Sequence, residues 1–71
     1  MENIVREYLS RRTPDGYYVI PVKIEARGLL EKYRGLIFEE AGALLFVKTK
    51  SRSIAERILR KMYRQGLLEE Y

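Results

Sequence analysis

Residues 36–48, Leu36 to Lys48 (LIFEEAGALLFVK), decide the fold, because they read either as a hairpin or as a helix. As a hairpin turning at Ala41-Gly42, the stretch places Leu36, Phe38, Leu45 and Val47 on one face. Ile37, Glu39, Leu44 and Phe46 then take the other. As a helix, Phe38 to Ala41 and Ala43 to Leu45 would form the body, with Gly42 opposing it. The half LLFVKT has strand character, and a two-residue turn suffices to join the halves. The hairpin is the reading adopted.

Downstream lies Lys48 to Gly66, KTKSRSIAERILRKMYRQG. It holds seven of the fourteen basic residues and one acid, Glu56, for a local charge of +6; the rest carries seven bases against nine acids, or −2. Ser51 or Ser53 caps a helix here, and Ser53 with Glu56 fits a capping box. Ile54, Ala55, Ile58, Leu59 and Met62 form its buried stripe, with Tyr63 at the margin. Gly66 stops it, and Leu67 to Tyr71 reads as a short terminal strand or tail.

Upstream, Glu2 to Arg12 reads as a helix with Ile4, Val5, Tyr8 and Leu9 on one side. Thr13-Pro14-Asp15-Gly16 suits a type I turn. Tyr17 to Ile20 is a short strand. Pro21 opens a helix from about 21 to 34, with Val22, Ala26, Leu29, Leu30 and Tyr33 as its stripe and Gly35 as its stop. The competing reading extends the strand through Ile24.

With 71 residues and a 46% hydrophobic, 34% charged composition, the chain predicts one globular domain, 1–71. No apolar run approaches the roughly 20 residues of a membrane span, and the N-terminus lacks a secretory core, so a cytoplasmic location without membrane contact is expected. There is no cysteine and no histidine. This excludes disulfides and thiolate or imidazole ligands, and removes the commonest general base. The adjacent acid pairs Glu39-Glu40 and Glu69-Glu70 point to opposite faces of a strand, and the serines have no histidine partner. The reading is therefore a non-enzyme with no cofactor and no metal. One Asn, one Gln and many Arg and Glu resemble a heat-adapted composition.

A basic helix on a small domain suits an anion, nucleic acid above all. Ser53, Arg57, Arg60 and Arg64 follow at +4, +3 and +4, opposite Ile54, Ile58 and Met62, with Lys61 beside them. Lys48, Lys50, Ser51 and Arg52 lie on the approach to the helix. The blander reading is a solvated face, with arginines paired to nearby acids such as Glu56; one acid cannot neutralise seven bases. Tyr8, Tyr17, Tyr18, Tyr33, Tyr63 and Tyr71 could include a base-stacking platform, although core packing suits most of them.

Ser51-Arg52-Ser53, Ala55, Arg57, Leu59-Arg60, Met62 and Gly66-Leu67-Leu68-Glu69 resemble the recognition helix and following strand of winged helix-turn-helix domains. That resemblance implies a small α+β domain, ordered α-β-α-(β-β)-α with a short terminal strand, in which Ser51, Arg52, Ser53, Glu56, Arg57 and Arg60 face DNA. The family joins its second and third helices by a short turn; here Leu36 to Lys50 stand in that place. The alternative architecture is a ferredoxin-like βαββαβ sandwich with an extra N-terminal helix. The expected function is nucleic-acid binding by a DNA-binding transcriptional regulator or chromatin-associated module, with double-stranded DNA as partner. An RNA-binding or ribosome-associated protein and a protein-interaction module are the alternatives. Reading paired half-sites would require a homodimer, which the sequence leaves open.

Overall fold

Residues 36–48 form the hairpin. The computed structural model describes residues 2–69 of the chain; Glu70 and Tyr71 of the expected terminal strand lie outside them. Strands β2 (Ile37–Ala41) and β3 (Leu44–Thr49) pair antiparallel with Phe38 opposite Val47 and Ala41 opposite Leu44. The two-residue loop is therefore Gly42-Ala43, not Ala41-Gly42. Gly42 takes φ of +63° and Ala43 stays at negative φ, which fits the type II′ turn with glycine first. The Ala43 carbonyl accepts the Ile24 N–H at 3.0 Å, which ties the turn to the chain before it. The displacement leaves the predicted faces intact, because only an odd slip of register would exchange them.

The helix expected over 21–34 does not form as one piece. β1 (Tyr18–Lys23) runs through Pro21 and pairs antiparallel with β3, Ile20 opposite Val47 and Val22 opposite Leu45. A 3-10 turn (Ile24–Ala26) and one turn of helix, α2 (Arg27–Leu30), follow. The Pro21 carbonyl accepts the Glu69 N–H at 2.9 Å, on the edge away from β3. The N–H that proline lacks is thus absent only from that outer edge, and the central ladder loses nothing.

Two longer helices complete the molecule, α1 (Glu2–Leu9) and α3 (Arg52–Arg64). α1 ends three residues before Arg12. The turn after it closes with the Gly16 N–H on the Thr13 carbonyl at 2.9 Å. The described residues form an α+β architecture, with three α-helices and a three-stranded antiparallel sheet in the order β1-β3-β2. After α3, Leu68 makes an antiparallel bridge to Val22, so the segment 67–69 lies along the outer edge of β1.

Alternation sets the layers. Tyr18, Ile20 and Val22 of β1 and Leu45, Val47 and Thr49 of β3 are buried against Ala55, Ile58, Leu59 and Met62 of α3, Val5, Tyr8 and Leu9 of α1, and Ala26 and Leu30. Burying these side chains supplies most of the drive to fold, at ~25 cal/mol per Å² of apolar surface. Val19, Phe46 and Lys48, the alternate residues, lie half-buried on the opposite face of the sheet with exposed Ile37.

Candidate nucleic-acid interface

The junction into α3 is set by two hydroxyls. Thr49 is buried, and its Oγ1 accepts the Ser51 N–H at 3.1 Å. Ser51 is the N-cap, its Oγ accepting the Ile54 N–H at 3.3 Å and lying 3.2 Å from Ser53 Oγ. The cap is therefore Ser51 rather than Ser53. Glu56 forms no capping box with Ser53; it accepts from Arg60 Nη2 at 3.1 Å, the ion pair of the solvated-face reading. The apolar stripe then sits on the sheet, which fixes the direction of the polar side.

Arg57, Arg60, Lys61 and Arg64 line one groove, of about 370 Å³, with Tyr33 and Gln65. Arg57, Lys61 and Arg64 stand at i, i+4 and i+7, a single helix face about 10 Å long. Among the described residues Arg57 and Arg64 make no ion pair. The far wall is Tyr33, which is half-buried and whose N–H donates to the Leu30 carbonyl at 3.1 Å. Lys32 Nζ lies 5.8 Å from the centroid of the Tyr33 ring. The Lys61 ammonium is held below its ordinary value, chiefly by the Lys32 side chain, then by desolvation and by the like charge of that lysine.

The remaining predicted residues lie elsewhere. Ser53 borders a smaller depression with Glu56, Arg57 and Arg60, continuous in sequence with the groove. Arg52 turns to the α1 side and lines a cavity with Val5, Arg6, Leu9 and Glu56. Lys48 belongs to the sheet face opposite the helices and pairs with Glu39 at 2.9 Å. Lys50 Nζ lies 5.0 Å from the centroid of the Tyr17 ring. The Asp15 carboxyl is held below its ordinary value by the Thr13 hydroxyl and then its own backbone N–H, with smaller contributions from Lys48 and Lys50. Lys48 and Lys50 thus have carboxylates near them, whereas among the described residues Arg57, Lys61 and Arg64 form no ion pair.

Lys32 and Tyr33 were not among the predicted site residues. Their sequence signal is the basic-aromatic run Lys32-Tyr33-Arg34, which the helical reading of 21–34 assigned to a last turn and a core stripe. Among the described residues no three His, Cys, Asp or Glu side chains gather as a metal site, and no helix is long and apolar enough to cross a membrane. Comparison with protein-family models, curated proteins and solved structures finds no match.

Proposed function

We propose that this protein binds nucleic acid through the groove between α3 and Tyr33, with double-stranded DNA as its partner. One observation carries the reading: Arg57, Arg60, Lys61 and Arg64 converge on a single groove beside an aromatic ring, where Glu56 pairs with Arg60. Guanidinium groups suit phosphate because their fixed N–H fork accepts two oxygens at once. A helix presenting cations along two turns of one face suits a duplex, whose major groove admits a helix. The resemblance to winged helix-turn-helix domains supports the same partner through α3.

For the finer fold, the position of β3 between β1 and β2 supports the ferredoxin-like alternative, since a split βαβ unit leaves that gap. Leu68 beside Val22 extends the same arrangement by a terminal strand.

The test is a titration of duplex DNA at several salt concentrations. Four phosphate contacts predict a slope of about −3.6 in log affinity against log salt, a loss on the order of 10²-fold between about 50 and 200 mM. Replacing both Arg57 and Arg64 by Ala should lower that slope by about 2 without moving the melting temperature. Failure of the unmodified protein to bind any duplex at low salt would refute the proposal.

A second reading, RNA binding, is favoured by the sheet face opposite the helices, where Tyr17, Phe46 and Val19 stand near Lys48 and Lys50. Unpaired bases stack on such aromatic rings. Tight binding of unpaired RNA that Phe46→Ala abolishes and Arg57→Ala spares would select this reading over the first.

A further inference from the structure

We infer that the nucleic-acid interface continues past the start of α3 onto α1, where Arg6 and Arg52 seat one further phosphate of the same backbone. The inference rests on the nucleic-acid reading and adds to it Arg6, a residue of another element.

Three depressions run along α3 and share their walls. The groove of Arg57, Arg60, Lys61 and Arg64 shares Arg57 and Arg60 with the depression bordered by Ser53. That depression shares Glu56 with the cavity of about 180 Å³ at the head of the helix. Arg52, Glu56, Arg60 and Arg64 succeed one another at about one helical turn, so the track follows one row of side chains. From Arg52 to Arg64 it covers about 18 Å, the rise of roughly five base pairs. Its two ends therefore meet different phosphates.

The cavity at the head takes its two guanidinium groups from two helices. Val5 and Leu9 of α1, buried in the core, line it with apolar side chains. Arg6, next to Val5, lines it from α1, and Arg52, the first residue of α3, lines it from the other side; both are exposed. Neither makes a side-chain hydrogen bond or ion pair among the described residues. Glu56 is the one carboxylate in the lining, and it accepts from Arg60 Nη2 at 3.1 Å. A guanidinium only donates, so the two arginines cannot answer each other, and the valine and leucine side chains offer no acceptor. A phosphodiester brings two non-bridging oxygens, and each can take one N–H fork. The track already leads a backbone to that point.

The experiment uses the full chain, a duplex oligonucleotide and fluorescence anisotropy over a salt series. A fifth phosphate contact steepens the expected slope from about −3.6 to about −4.5. Arg6→Ala and Arg52→Ala should each weaken binding, and the double variant should return the slope to about −3.6 with an unchanged melting temperature. Arg52→Lys keeps the charge and loses the fork, so it should weaken binding while holding the slope at about −4.5. Lys23→Ala, which removes an exposed lysine away from the track, should change neither slope nor affinity. Wild-type slope and affinity in the double variant would overturn the seat while leaving the groove's function standing. No duplex binding by the unmodified protein would remove both. In a parallel arm, inorganic phosphate is titrated while the arginine Nε–H signals are followed by NMR. Shifts of Arg6 and Arg52 that saturate only at millimolar phosphate fit a backbone seat. Saturation at micromolar phosphate would mark a free-phosphate site and overturn the nucleic-acid source.

Discussion

At Gly66 the backbone takes φ of +70°, and two hydrogen bonds close α3 there: the Gly66 N–H to the Tyr63 carbonyl at 3.2 Å and the Leu67 N–H to the Met62 carbonyl at 2.8 Å. This is the Schellman pattern, which satisfies carbonyls that a helix end otherwise leaves open. Open space surrounds the position where a Cβ would stand, so the cost of a side chain comes from the backbone alone. Gly66→Ala should therefore cost about 1–2 kcal/mol, read as a lower denaturant midpoint with an unchanged slope. This stop signal was legible in the sequence because glycine after a basic last turn has one strong local meaning. Tyr8 was not legible in the same way. Its ring packs in the core while its hydroxyl donates to the Glu69 carbonyl at 2.8 Å, a partner 61 residues away that no local pattern specifies.

Among the elements, α3 does two separable jobs. Ile58 is fully buried between the helix and the sheet, and Arg57 beside it is exposed. Ile58→Ala should destabilise the protein by about 2–5 kcal/mol, through lost transfer energy and the cavity left behind, measured by urea unfolding. The helix itself could be read from its sequence because capping, apolar period and stop signal all agree. Its neighbours could not be read so directly. The segment 21–34 carries a helical stripe in Val22, Ala26, Leu29, Leu30 and Tyr33, yet Val22 enters β1 and Leu29 is left exposed. Pairing with β3 outweighed the local period there. The same outcome moved Tyr33 from the expected helical stripe to the far wall of the groove.

For the whole molecule, the decisive join is between the segment after α3 and the first strand. The segment 67–69 covers the outer edge of β1 through the Lys23 N–H to Leu67 carbonyl bond at 2.9 Å and the Glu69 N–H to Pro21 carbonyl bond at 2.9 Å. Leu68 is buried over the core from that edge. Leu68→Ala should cost at least about 2 kcal/mol, and hydrogen exchange should show faster opening at Lys23 and Glu69 than in the β1–β3 ladder. The sequence by itself determined the α+β class, the hairpin and its two faces, and the basic helix with its apolar anchor, because period, caps and charge are local properties. Only the tertiary structure decided the length of β1, the turn residues of the hairpin, and which cations share a groove. Those depend on pairing between segments far apart in the chain, where a proline's missing N–H or a lysine's neighbour is set by what lies across from it.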